Sequence, residues 1–412
     1  MFQILYNTSI FLYGVAIKLA SFFNKKAKLF IEGRKIPLPL PAFAENQKRV
    51  WFHCASLGEF EQALPLIEEL KKNLSNKNLY VIVSFFSPSG YEIRKNYALA
   101  DVVCYLPLDT PENAKRFITL YKPDLAIFVK YEFWFNFLKE LQRKNIPAFS
   151  VSAIFRKEQI FFKSYGKPFL RRLRMFQMIF TQDGKSLNLL REKGISQVMM
   201  AGDTRYDRVY AISEQKTDLP EIEKFCGNHK IFVIGSTWDE DMHVLFPIIE
   251  SYKGQVKFII APHEITAKCI QVLVNKLGRE AVRLSAFDEK KDMDAQILIV
   301  DSIGLLSRIY RYGHFAYVGG AFGQGLHNIL EAACYGMPIF FGNKNYKKFK
   351  EAIDLIQLNG AFPIEDKMEL EHAIIPFFDE EKRKETAKEV KDFVKNNTGA
   401  TAIILQHILK VL

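Results

Sequence analysis

The sequence predicts an α/β fold of two Rossmann-like halves, each a doubly wound parallel sheet, joined by one linker. Three observations predict it. Short apolar runs closed by turn residues alternate with helical segments along most of the chain, which is the signature of βαβ units. The alternation lapses once, over the polar stretch 206–228, where Asp218-Leu219-Pro220 breaks it, and then restarts. With 412 residues and 49% hydrophobic content, the chain has enough apolar material for two ordinary cores.

Charge and cysteine usage narrow the function. The formal net charge is +11, which suits an anionic partner: a phosphorylated ligand, an acidic lipid surface or nucleic acid. Nucleic acid is the weakest of the three, because the chain has no RNP, zinc-finger or helix-turn-helix signature. Cys54, Cys104, Cys226, Cys269 and Cys334 are dispersed without a CxxC pair. Such a set reads as reduced and cytosolic, not as a disulfide or zinc framework.

Taken in order, 2–23 is apolar and aromatic, relieved by Asn7, Thr8, Ser9 and Lys18, and Lys25, Lys26, Lys28, Arg34 and Lys35 follow. No small-residue cleavage site is evident. The segment is just long enough to span a bilayer. It fits a helix lying in the interface equally well, with its cations on acidic headgroups. A buried N-terminal helix is the alternative. Strands are then expected at 49–55, 79–84, 102–106, 125–129 and 148–151, with helices at 57–70, after 87–90, at 111–121 and at 133–144. A basic, aromatic helix is expected at 161–176, with short strands at 179–181 and 198–200 around one more helix. After the linker come strands at 231–234, 257–261 and 297–300, then a charged helical stretch at 365–397. The apolar terminal helix 400–412 is a candidate to pack back on the first half.

Ligands of open α/β sheets sit at the carboxyl ends of the strands. In the second half these ends carry Ser236 and Thr237, Pro262 and His263, Ser302 and Gly304, and Asn328 with Glu331. The richest is the stretch from Tyr317 to Gly342: a short strand, a loop with four glycines, then His327-Asn328-Ile329-Leu330-Glu331 opening a helix that ends near Gly336. Glycines ahead of a helix N-terminus let backbone N–H groups approach an anion. An ordinary crossover loop is the plainer reading. No GxGxxG follows the first strand and no GxxxxGK[ST] occurs, which argues against a dinucleotide oxidoreductase and a P-loop NTPase. In the first half Glu59 stands out, at a strand-to-helix turn after His53, Ser56 and Gly58. The helix dipole favours it as an anion, available as a base. Ser56-Leu57-Gly58-Glu59 also spells a capping box, so a merely structural Glu59 stays open. Glu132, just past a strand, is a second carboxylate, with a surface-helix alternative. His263 has the alternative of a satisfied turn histidine; His243 and His314 look structural. No cluster has metal-ligand spacing.

Two such halves suggest the GT-B glycosyltransferase architecture, and the motifs make the resemblance specific. The sequence resembles the transferases of 3-deoxy-D-manno-octulosonic acid (Kdo) of lipopolysaccharide assembly, over nearly the whole chain. His53-x-x-Ser56-x-Gly58-Glu59 is similar to the family's catalytic turn. Ser87-Pro88-Ser89-Gly90-Tyr91-Glu92, Tyr105-Leu106-Pro107-Leu108-Asp109 and Glu132-Phe133-Trp134-Phe135-Asn136 resemble its T-P-T-G-x-E, Y-L-P-x-D and E-L-W-P-N. Gly202 to Asp207 resembles G-x-x-K-F-D, and Gly319-Gly320 through Glu331 resembles G-G-S…G-G-H-N-P-L-E. The chain departs from the pattern at Ile329, where proline is usual, at Lys130, and in the shortened Pro262-His263-Glu264.

The resemblance implies a GT-B fold of two halves facing across a cleft, with an N-terminal membrane-associated helix. It divides the chain into an anchoring segment 1–35, an acceptor half 36–205, the linker 206–228, a CMP-sugar half 229–397 and the returning helix 398–412. It implies Glu59 as general base, and CMP held by Ser236, Pro262 and His263, by Ile303, Gly304 and Leu305, and by Asn328, Ile329, Leu330 and Glu331. Ser56, Gly58, Glu132 and Arg205 are candidates for the acceptor or for supporting the base. The donor would be CMP-Kdo and the acceptor a lipid A precursor, transferred with inversion at the cytoplasmic face of the bacterial inner membrane. No metal and no other cofactor are expected. The rival readings are a UDP-sugar-dependent GT-B glycolipid transferase and a non-catalytic glycolipid-binding protein of the membrane surface.

Overall fold

The computed structural model describes residues 2–215 and 218–412, with backbone only at 75–77. The chain divides into two compact units, Met1–Asp207 with Thr398–Leu412, and Arg208–Asn397.

Unit 1 is built on a parallel seven-stranded sheet, β1 (Lys48–Cys54), β2 (Leu79–Phe85), β3 (Val102–Tyr105), β4 (Leu125–Val129), β5 (Ala148–Ala153), β6 (Met178–Thr181) and β7 (Val198–Met200), in the order β3-β2-β1-β4-β5-β6-β7. The order reverses between β1 and β4, so the ligand-binding end of this sheet lies where those two strands finish. β2, β4 and β5 are buried along their whole length, as a sheet covered on both faces requires. Side chains alternate across it. Trp51 joins Ile82, Phe117, Phe128 and Phe137 on one face. Val50 and Phe52 join Ile127, Ile404 and Ile408 on the other. The last two come from the C-terminal helix Ala400–Val411, whose start is fixed by Asp207. That carboxylate accepts from the Gly399 and Thr401 amides at 2.6 and 3.0 Å and from the Thr401 hydroxyl at 3.0 Å.

The chain begins with the helix Phe2–Ala20, followed after a sharp bend by the helix Lys25–Lys35. The first helix is amphipathic in an inverted sense. Its inward side mixes polar and aromatic residues with Ile10, the one buried position of the helix. Tyr6 donates to Asp109 at 2.5 Å, Asn7 accepts from Asn136 at 3.0 Å, and Gln3 accepts from Lys139 at 2.9 Å. The buried Arg172 guanidinium lies over the Phe2 and Tyr6 rings. Its outward positions Ile4, Leu5, Phe11, Leu12, Val15 and Leu19 are exposed. No single described helix is long and apolar enough to cross a membrane; the two helices together pass on length and composition, bent by 119°.

Unit 2 repeats the architecture with β8 (Lys230–Thr237), β9 (Val256–Pro262), β10 (Ala281–Arg283), β11 (Ile297–Ile299), β12 (Phe315–Val318), β13 (Ile339–Gly342) and β14 (Ala361–Ile364), in the parallel order β10-β11-β9-β8-β12-β13-β14. Its switch point falls between β8 and β12.

Several local expectations are corrected. Residues 161–176 do not form one helix: 3₁₀ turns Ile160–Phe162 and Ser164–Gly166 precede a short helix Lys167–Leu173, because Gly166 packs so closely on the Ile160 carbonyl that a Cβ would lie 1.8 Å from it. Residues 235–237 are still strand, and the helix begins at Asp239. The helix expected from His327 to Gly336 is the single turn Leu330–Ala333. The charged stretch 365–397 is interrupted between Lys367–Ile374 and Glu380–Asn396 by a 3₁₀ turn containing Pro376. The linker 206–228 is largely helical, in Thr204–Glu214 and Pro220–Cys226; its residues 216–217 lie outside the described residues.

Candidate active site

Each unit presents its chemistry at the carboxyl edge of its own sheet. In unit 1, β1 runs into the turn Ala55-Ser56 and the helix Leu57–Asn78. Ser56 occupies the cap position in an extended conformation, yet its side chain makes no bond to the helix backbone. Its hydroxyl donates to the Glu59 carboxylate instead. The capping-box reading therefore fails: a serine that caps would give its oxygen to a backbone N–H. Gly58 beside them is exposed, so the turn stays open on that side.

The second carboxylate stands at the end of β4. Glu132 accepts from Trp134 Nε1 at 2.6 Å and lies 3.2 Å from Nε2 of the fully buried His53. The neighbouring Cys54 thiol is pushed well above its ordinary pKa, first by burial and then by the negative charges of Glu59 and Glu132. One sulfur therefore feels both carboxylates, which fixes them around the end of β1. The Tyr131 hydroxyl is also raised, by burial first; Glu59 and Asp183 add to that and Arg156 opposes it. Arg205 is committed elsewhere: its Nε and Nη2 donate to Asp203 at 2.9 and 2.7 Å. Burial would raise the Asp203 carboxyl, but Arg205 brings it below its ordinary value. Lys130 and Ser152, at the ends of β4 and β5, hold φ of 59° and 53°, a left-handed backbone that residues with a Cβ avoid and that collects at functional edges.

In unit 2, Ser236 ends β8 with φ of 55°. Beyond it a ring stack forms. The Trp238 and His263 rings lie 4.4 Å apart and His263 and His327 4.5 Å apart. Trp238 Nε1 donates to His327 Nε2 at 3.0 Å, so that nitrogen is an unprotonated acceptor. Burial, and then the facing His263, hold the His327 pKa down to about 4. Burial also lowers that of His263. Asp241 staples the loops beneath: it accepts from the Trp238 amide at 2.9 Å, the Gly320 amide at 2.9 Å and the Tyr317 hydroxyl at 2.8 Å. The staple explains two glycines. A Cβ at Gly319 would lie 2.4 Å from the Ser236 carbonyl oxygen, and Gly320 has φ of 93°.

Asn328 donates to Glu331 at 3.1 Å, and its buried Oδ1 has no hydrogen-bond partner among the described residues. Burial raises the Glu331 carboxyl, with Asn328 and Arg208 pulling the other way. Ile329 and Leu330 are fully buried, so only their backbone can meet a ligand. Ile303 is 84% exposed on the open loop after β11, with Gly304 beside it and Leu305 half-buried. Pro262 lines a cavity of about 480 Å³ with Thr237, Trp238, Glu264 and Lys268, within the usual size of a small-molecule pocket. Thus Ser236, Pro262, His263, Asn328 and Glu331 gather at the ends of β8, β9 and β12, while Ile303 to Leu305 stand beyond β9. Among the described residues no group of His, Cys, Asp and Glu is arranged to hold a metal ion. Sequence reasoning missed Trp238, Asp241 and Arg208. Only the Trp238-x-x-Asp241 spacing at a helix start hinted at the staple.

Residues 32–208 match the family model described as 3-deoxy-D-manno-octulosonic-acid transferase (kdotransferase). The chain is 27% identical over 363 residues to the 3-deoxy-D-manno-octulosonic acid transferase of Rickettsia prowazekii, covering 84% of this chain and 76% of that one. It is 26% identical over 328 residues to the enzyme of the same name from Aquifex aeolicus, covering 78% and 83%. In fold it is similar to the UDP-GlcNAc 2-epimerase of Neisseria meningitidis, with a TM-score of 0.55 at 15% identity, over 88% of this chain and 100% of that one. The likeness of two parallel-sheet units bears out the GT-B reading of the fold.

Proposed function

We propose that this chain, a glycosyltransferase with the likeness of the Kdo transferases, moves Kdo from CMP-Kdo onto a lipid A precursor with inversion, in lipopolysaccharide biosynthesis. The observation that carries the proposal is the Glu59 turn. Within the stretch that matches the family model, a carboxylate stands at the switch point of the sheet, released from capping and held by Ser56. A base so placed takes the proton of the attacking acceptor hydroxyl, a contribution of roughly 10²–10⁴ in rate. Direct attack with one base inverts the anomeric carbon.

The unit 2 edge suits the donor. Cleavage of the CMP-sugar bond puts charge on the departing phosphate. The Asn328 N–H, which unlike the amides of Gly319, Gly320, Gly323, Gly325, Leu326 and His327 is not bonded among the described residues, can meet it. Asn328, with an unpartnered buried Oδ1, and Glu331 offer hydrogen bonds to a ribose or base. The flat Trp238–His263 stack offers a face to a ring. The outward apolar face of Phe2–Ala20, followed by lysines, suits a helix lying in the interface of an anionic bilayer where the acceptor resides.

Isothermal calorimetry tests the donor assignment. CMP should bind and UDP should bind much more weakly, and Glu331→Ala should cost CMP roughly 1–3 kcal/mol, the penalty for unpairing a buried polar contact. Preference for UDP, or CMP affinity untouched by Glu331→Ala, would contradict it.

A further inference from the structure

We propose that His53 is a positioning residue that aims the Glu132 carboxylate at the acceptor, through a hydrogen-bonded chain that starts inside the sheet. Trp51 and His53 are two apart on β1 and so share a face, and register places Ser84 of β2 beside His53. The Trp51 indole has only a donor, and it donates to Ser84 Oγ at 2.7 Å. Ser84 Oγ lies 2.9 Å from His53 Nδ1, and the Ser84 carbonyl 3.2 Å from it. At the other side of the ring, Nε2 faces Glu132 Oε2 at 3.2 Å. Trp134 Nε1 lies 3.1 Å from Nε2, but its single hydrogen goes to the nearer Glu132 oxygen at 2.6 Å.

These distances fix where the imidazole proton is. With Nε2 bare, its lone pair would face a carboxylate lone pair beside a fully buried ring. With Nε2 protonated, it donates to Glu132, and Nδ1 is served either way: it accepts from the Ser84 hydroxyl, or it donates to the Ser84 carbonyl if the ring is cationic. Glu132 Oε2 thus receives two N–H donors on rigid aromatic frames, Trp134 and His53. The carboxylate is held with 14% of its side chain exposed at the end of β4. A carboxylate so held accepts hydrogen bonds from sugar hydroxyls without having to reorganise. The division of labour is then between two carboxylates: Glu59 takes the proton of the attacking hydroxyl, and Glu132 holds the acceptor sugar in register. The assignment of an acceptor rests on the glycosyl-transfer reading given above; the protonation of His53 does not.

The test therefore has two arms. In the full-length protein, ¹⁵N NMR of the imidazoles should show Nε2 of His53 protonated, with a resonance that moves in Glu132→Gln. A bare Nε2, or a resonance indifferent to Glu132→Gln, would overturn the chain whatever the enzyme acts on. In the second arm, His53→Met and Glu132→Gln should each lower kcat/KM for the acceptor at least about tenfold, and the double variant should fall no further than the worse single one. His53→Gln, which keeps an N–H at the Nε2 position, should recover most of the loss, and CMP affinity should stay within about twofold throughout. Additive losses, no recovery by glutamine, or a parallel loss of CMP affinity would mean that His53 only supports the sheet.

Discussion

Glu59 and His327 carry the residue-scale argument, because each is a titratable side chain whose neighbours decide its use. Glu59 has a serine hydroxyl on its carboxylate and stands in the first turn of a helix. Glu59→Gln should leave the melting temperature and CMP binding intact and lower turnover at least about 10²-fold; near-wild-type turnover would remove Glu59 from the mechanism. His327 is the opposite case, kept neutral by burial and by His263. Its folded pKa lies below the ordinary value of 6.5, so protons bind the unfolded chain more readily. The contribution is fully present above pH 6.5 and is lost as pH falls toward about 4, at a slope on the order of 1 kcal/mol per pH unit. Thermal melts from pH 7 to 4 should show this slope in the wild type and a shallower one in His327→Gln. Equal slopes would mean that the stack does not depress His327. Glu59 was legible in the sequence because a strand-to-helix turn can be read locally. The competing cap was legible too, and only the geometry of Ser56 decides between them. The His53–Ser84–Glu132 chain was not legible, since its members come from two strands and a distant loop.

At the scale of elements, the long buried strands and amphipathic helices were readable from periodicity alone. The failures have physical causes. β10 is three residues with an exposed arginine, and β14 contains Pro363, tolerated because the strand lies at the edge of the sheet. Neither presents a clean apolar run. The Asp241 staple joins residues 79 apart in the chain, which no local pattern reveals. For the helix Phe2–Ala20 composition gives a helix with an apolar face, while which positions point outward is visible only in the fold. Tyr6 and Asn7 face the protein, and deleting the helix would strip partners from Asp109, Asn136 and Arg172. The membrane role is therefore better tested on the outward face. Replacing Leu5, Phe11, Leu12 and Leu19 together by serine or glutamine should leave the melting temperature nearly unchanged, since these side chains are already exposed. The same variant should lose most binding to anionic liposomes in a sedimentation assay, and the wild type should bind less as salt rises. Undiminished liposome binding by the variant would place the lipid contact elsewhere.

At the scale of the whole molecule, two units of the same architecture carry different chemistry at the same edge. Unit 1 offers two carboxylates, Glu59 and Glu132; unit 2 offers a glycine-rich loop, ring faces and paired polar side chains. The net charge of +11 and the lysines after the first helix suit an acceptor that is both phosphorylated and membrane-borne. The fold alone would permit many nucleotide sugars, since likeness at this identity speaks only to architecture; the choice of Kdo comes from the motifs and from the family match over residues 32–208. The most direct measurement is therefore incubation of the full-length protein with CMP-Kdo and a tetraacylated, bisphosphorylated lipid A precursor, followed by mass spectrometry of the lipid. The account predicts a product heavier by one or more Kdo residues, formed by the wild type and strongly reduced in Glu59→Gln. An unmodified acceptor with CMP-Kdo, alongside modification of the same lipid with a UDP-sugar, would contradict it.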